Sequence, residues 1–371
     1  AFASLFGNDG ILDARSALLG RRGARGSNRG GLRPPGWRGG LYGHFFLYNV
    51  LTGLLAPFCG LLLLSSPGQS KPWVELWSVG ERAQAIQLLS EQVAQEPEST
   101  HENRVLLVHW QLAAAQFEGA LHTAKDLPAE QRGLRGRALY FLGRYEECLE
   151  FLGQEDPSEL RMRVEAHKYL GQLEQALGLL PQLRKVFGSA SVDVLLLEAR
   201  DHQGRKQYEE AAQKFAAVRR QKPLEAEALF GLGQCYIRLK RTQEARTLLE
   251  SHRRLIPLLD ALDFAQRGVD IAPSSAPNQA TVAEAWQALS EFDPQAAEHA
   301  LVAYERATLL AKDGERTPIA LRLARFHWET MKSSEAALST LAKAIQLSVD
   351  PRLRVRRADY LVELGRPQEA L

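Results

Sequence analysis

Histidine, cysteine and paired carboxylates are the residue types most able to do chemistry in this chain, and their spacing is unproductive. Nine histidines are scattered between His44 and His327. A zinc hydrolase would place two of them one helical turn apart around a glutamate, and no HExxH occurs. Cys59, Cys148 and Cys235 are too far apart for a CxxC metal or redox pair, and they form no disulfide framework. The glycines make neither a phosphate-cradling GxxxxGK[ST] loop nor a GxSxG nucleophile turn. Acidic pairs such as Glu146-Glu147 and Glu209-Glu210 have basic neighbours at helical spacing, which is ordinary solvated surface. The residues therefore predict a binding protein rather than an enzyme, with no catalytic, cofactor-binding or metal site.

The elements that would position a binding surface are paired amphipathic helices, starting near Trp73. The clearest unit is Ala226 to Leu259, with Leu229, Leu232, Gly233, Tyr236, Ala245, Leu249 and Pro257 at its marked positions. Residues 192–225 repeat it, and both Ala211 to Ala245 and Pro223 to Pro257 are 34 residues apart. One small residue recurs where the second helix of each unit should cross the first: Ala85, Ala120, Cys148, Ala176, Ala211, Ala245, Ala300, Ala337 and Ala370. Successive members are 35, 28, 28, 35, 34, 55, 37 and 33 residues apart. The 28-residue units are thus shortened, and the long gap is predicted to hold an irregular insertion, residues 258–281, ending in the Pro/Ser-rich IAPSSAPNQAT.

This pattern resembles the tetratricopeptide repeat, strongly over 192–259 and loosely over about 300 residues. The resemblance implies an all-α, right-handed α-solenoid in which each unit buries its face against the next. It divides the chain into a first array, 67–257, the insertion, 258–281, and a second array, 282–371. It also implies a partner-binding surface on the first helix of each unit. Projected there are Asp193, Leu196, Arg200 and Gln203, then Glu227, Phe230, Gln234, Ile237 and Arg238, then Ile319, Arg322, Phe326 and Glu329. The mixture suits docking of a peptide or helix. The family's carboxylate clamp needs Lys and Asn where Leu196/Arg200 and Phe230/Gln234 stand, so that ligand is disfavoured. Cys148 and Cys235 read as small buried hydrophobes. The chain ends at Leu371 inside a unit that has just begun, which suggests a longer native protein or a partner that supplies the cap.

The amino-terminal region differs in kind. Residues 1–40 are an Arg/Gly-rich extension, with GRRGARGSNRGGLRPPGWRGG from Gly20 to Gly40 and too little apolar surface to form a core. Leu41 to Leu64 then holds no charged side chain over 24 residues, which predicts a single transmembrane helix within 41–66. A cleaved signal, a lipoprotein signal at Cys59 and a mitochondrial presequence fit less well. The arginines precede the span, so the amino terminus is assigned to the cytoplasm or matrix. The solenoid then lies in the periplasm or intermembrane space, a bacterial inner membrane being the leading assignment. Arg21, Arg22, Arg25, Arg29, Arg33 and Arg38, with Trp37, Phe45 and Phe46, are candidate anchors to lipid headgroups or a membrane partner.

Together these readings predict a non-catalytic, membrane-anchored scaffold or assembly subunit whose partners are other subunits of a membrane protein complex, together with membrane lipid. Two alternatives stand beside it. The chain could be the docking arm of a longer protein with an enzymatic or redox domain, or the Arg/Gly tail could bind nucleic acid, a less favoured reading because interleaved aromatics are nearly absent.

Overall fold

Helices pair in sequence order because most are amphipathic and too short to stand alone. The computed structural model describes residues 71–95 and 101–369, and among these every regular element is helical. All of them fall in one unit, Gly40–Leu371. The Arg/Gly-rich extension, the proposed span and their anchor residues Arg21, Arg22, Arg25, Arg29, Arg33, Arg38, Trp37, Phe45 and Phe46 lie outside the described residues. Among the described residues, no helix is long and apolar enough to cross a membrane.

The first hairpins are α1 (Pro72–Ser78) with α2 (Arg82–Gln95), α3 (His101–Ala113) with α4 (Phe117–Ala124), and α5 (Arg132–Phe141) with α6 (Tyr145–Phe151). Then α7 (Pro157–Tyr169) is followed by two short pieces, α8 (Leu173–Gly178) and α9 (Leu180–Phe187). Next come α10 (Val192–Gly204) with α11 (Tyr208–Gln221), and α12 (Ala226–Arg238) with α13 (Thr242–Ile271). The series closes with α14 (Ala276–Leu289), α15 (Gln295–Leu310), α16 (Arg316–Glu329), α17 (Ser334–Leu347) and α18 (Pro351–Glu363).

The small crossing residues sit where packing requires them. Ala85, Ala120, Cys148, Ala176, Ala211, Ala245, Ala300 and Ala337 are all 0–2% exposed, so each lets two helices approach closely. Ala370 lies outside the described residues. The turn between the two helices of a unit is also repeated. A residue with positive φ ends the first helix, and the next N–H bonds a carbonyl five residues back, as in Arg144 to Leu139 (2.9 Å) and Arg241 to Tyr236 (2.8 Å). This closure caps the orphan carbonyls of the first helix. Glycine holds the position at Gly143 and Gly171, whereas Lys206 and Lys240 adopt it at φ 63° and 62°.

One feature departs from the sequence reading. The stretch 258–281 is not an irregular insertion: α13 continues unbroken to Ile271, and α14 starts at Ala276. Pro257 lies inside α13, where it removes one helical hydrogen bond at a cost of about 3 kcal/mol. Leu255, Leu259, Leu262, Ala265 and Val269 are buried at helical spacing on either side, and their burial outweighs that loss. The long helix also brings distant parts of the unit together. The Arg82 Nη1 donates to the Asp270 carbonyl at 2.5 Å, and the Ser274 hydroxyl donates to the Val79 carbonyl at 3.2 Å. Gly80, at φ 91°, leaves room for this contact, because a Cβ there would lie 2.7 Å from Ser274 Oγ.

Candidate functional site

On the first-helix face, α7, α10 and α12 bring charged side chains into one connected ladder. The Lys168 ammonium on α7 pairs with Glu165 at 2.9 Å and reaches past α10 to Glu227 on α12 at 2.8 Å. Arg200 on α10 takes the other oxygen of Glu227 at 2.9 Å. Arg200 also donates to Gln203 Oε1 (3.0 Å), and Gln203 donates to Gln234 Oε1 (3.1 Å) on α12. A second pair, Arg161 with Asp193 at 2.9 Å, joins α7 to α10. Three successive repeats are therefore tied together by side chains one turn apart on their first helices, the spacing that puts residues on a common face.

The electrostatics follow from this convergence. Burial opposes charge on Glu227, but Lys168 and Arg200 and their hydrogen bonds overcome it and hold its carboxyl at about 2. Burial works against the charge on Lys168 as well, yet Glu165 and Glu227 raise it above the ordinary lysine range. Glu225 has no such partner at the start of α12. Burial, reinforced by Glu227, lifts its carboxyl to about 7, against the opposing pull of Lys222 and Lys168. Burial raises the Glu165 carboxyl as well, against the pull of Lys168, so two carboxyls shifted upward adjoin the charged pair of Glu227 and Lys168.

The predicted binding residues divide into three groups. Arg200, Gln203 and Gln234 come together in the ladder with Glu227, while Ile237 and Arg238 are exposed beside it. Phe230 is half-buried, its ring 5.2 Å from that of His252 on α13. Leu196 is largely buried and lines a small cavity with Arg161, Glu165, Lys168 and Asp193, whereas Phe326 is fully buried against Tyr304. Ile319 is buried too, and Arg322 pairs with Glu284 at 3.4 Å.

The misplacement in the last of these units has a definite cause. Its turn closes from the Ser333 N–H to the His327 carbonyl, six residues back rather than five. Counting back from Ala337 at fixed spacing therefore lands one residue off the face, and Arg325, which is exposed, occupies the register assigned to Phe326. The projection also passed over Glu165 and Lys168. Counting back from Ala176 in the shortened unit would have found both.

Tandem helical hairpins joined by a side-chain ladder on their first helices define an α-solenoid of repeated units. Within it, residues 196–276 match the model of the tetratricopeptide repeat family. No curated protein sequence matches the chain. Among solved structures, a tetratricopeptide repeat protein from Parabacteroides merdae is 15% identical, with 68% of this chain and 95% of that one covered, at a TM-score of 0.39. A thermophilic repeat protein from Thermus thermophilus is 21% identical, with 57% and 100% covered, at a TM-score of 0.24.

Proposed function

We propose that this chain is a non-catalytic scaffold that holds protein partners on the first-helix face of its repeats. The observation that carries the reading is the ladder from Lys168 to Gln234, which fixes three repeats in register and leaves Ile237 and Arg238 exposed at its edge. An apolar and a guanidinium side chain side by side on a rigid surface suit the docking of a peptide or helix. In the finer form of the proposal, Leu41–Leu64 anchors the scaffold in a membrane, the preceding arginines stay on the cytoplasmic or matrix side, and the partners are subunits of a membrane complex.

The test is capture of the tagged chain from membranes in mild detergent, with mass spectrometry of the proteins retained. A reproducible set at fixed ratio is expected. Ile237→Ser/Arg238→Glu should lose part of that set while helicity stays unchanged, since neither side chain is in the ladder. Retention of the full set by the variant would remove this face as the docking surface. Release of the chain without detergent would remove the anchor.

A further inference from the structure

The second half of α13 is apolar on two faces, and the core takes only one of them. Leu255, Leu259, Leu262, Ala265 and Val269 pack inward. On the other side stand Pro257, Ala261, Phe264 and Ile271, and the half-buried Gly268 completes spacings of 4, 3, 4 and 3 residues. That is the repeat of a coiled-coil seam. Phe264 is 64% exposed and Ile271 67%, and Pro257 and Ala261 are exposed with them. A helix apolar all round is normally covered all round. The stripe is about 21 Å long at the rise of an α-helix.

We propose that this stripe pairs with the same stripe of a second copy of the chain, antiparallel, about a two-fold axis at Phe264. Charge selects both the occupant and the direction. One edge of the seam carries Asp260 and Arg267, seven residues apart and opposite in sign. The other edge, Leu258 and Ala265, is turned into the chain's own core. A parallel pair would set the charged edge against that apolar edge. In an antiparallel pair like edges meet, so Asp260 faces Arg267 of the second copy and Arg267 faces its Asp260, two ion pairs by symmetry. Arg267 already holds Asp263 at 2.8 Å, but its side chain is 42% exposed and its guanidinium has donors for both carboxylates.

The same arrangement matches the side chains by size. Phe264 lies midway between Asp260 and Arg267, so it meets its own counterpart and the two rings can stack. Ala261 comes opposite the half-buried Gly268, small against small, and Ile271 comes opposite Pro257. Another protein would have to supply this order of charge and this order of size separately, whereas the chain carries both. A stripe of this length makes a weak pair, with a dissociation constant in the micromolar range. The proposal is independent of the docking face on α12.

The test is sedimentation equilibrium of the full chain in density-matched detergent across the micromolar range, with helicity and melting of every variant compared with the parent. A monomer–dimer equilibrium is expected. Phe264→Asp should weaken it by more than about a hundredfold, because a residue on the axis is lost from both sides at once. Asp260→Lys and Arg267→Glu each turn two attractive pairs into two repulsive ones and should each weaken it about tenfold. Mixed one to one, those two variants regain both pairs and should associate within about twofold of the parent, a rescue that only an antiparallel pair of copies produces. Ile237→Ser/Arg238→Glu should dimerise as the parent does, so failure of the docking face leaves this result untouched. A monomeric parent, a dimer that survives Phe264→Asp, or a mixture without rescue overturns the proposal. So does a Phe264→Asp chain that sheds captured proteins while the parent is monomeric, since the stripe then belongs to another protein.

Discussion

Glu225 allows a quantitative test of the ladder. Its carboxyl faces Glu227 on its own helix, Glu165 and Lys168 from α7, and Lys222 from the preceding turn, with Arg200 of α10 on the far oxygen of Glu227. A carboxyl raised to about 7 binds its proton more tightly in the folded state than in the unfolded chain. Its contribution is therefore fully present below the unfolded carboxylate range and is lost as pH rises from there to about 7. A rise of more than two units corresponds to roughly 3 kcal/mol at most. The amino terminus of α12 favours the anion and offsets part of this, which leaves about 1–2 kcal/mol.

Glu225→Gln removes the titration while keeping the shape. At pH 8 it should stabilise α12 by about 1–2 kcal/mol, and at pH 5 it should be nearly neutral. Repeat arrays lose stability locally, so the assay is amide hydrogen exchange over 192–238 at several pH values, corrected for intrinsic rates. The expected result is protection that falls from pH 5 to 8 in the parent chain and falls less steeply in the variant, where only Glu165, also raised by burial, still titrates in this sense. Parallel pH profiles, or a variant less protected at pH 8, would refute the reasoning. Glu227 titrates in the opposite sense: its contribution is lost only as pH falls below the ordinary carboxylate range towards about 2, so it does not interfere in this window.

Further expectations concern packing and turns. Gly231→Ala should destabilise by about 1–2 kcal/mol in chemical denaturation, because the new Cβ would lie 2.4 Å from the Phe215 ring; Gly178→Ala, with no atom within 4 Å, should be neutral or slightly stabilising. Lys206→Gly and Lys240→Gly should each raise stability by several tenths of a kcal/mol or more, by removing the Cβ that strains a left-handed backbone, and thermal melts will read the shift.

How much of this was legible depends on what carries the signal. The crossing residues could be read because close approach of two helices admits only small side chains, so type and spacing alone locate Ala85 through Ala337. The shortened units were visible for the same reason, as 28-residue spacings, although the path of the chain after Leu152 was not, because it depends on close approach to two glycines back on α5, Gly133 and Gly136. Pro257 misled because a proline at the end of a repeat normally stops a helix, whereas here the apolar spacing continues through it to Val269.

The ladder marks the deeper limit. Repeats in a solenoid contact their neighbours, and a sequence read unit by unit recovers those nearest contacts. Lys168 skips a unit to reach Glu227, and Arg82 skips several to reach Asp270. Neither contact has a periodic signature, because each depends on curvature accumulated over the helices between. The face that a partner would meet is set by those same long-range contacts. Single substitutions in the ladder should therefore change the spacing of docking residues on units that they do not touch. If Lys168→Ala leaves hydrogen exchange at α12 unaltered, Glu227 is held by Arg200 alone and the ladder is only a set of neighbour pairs.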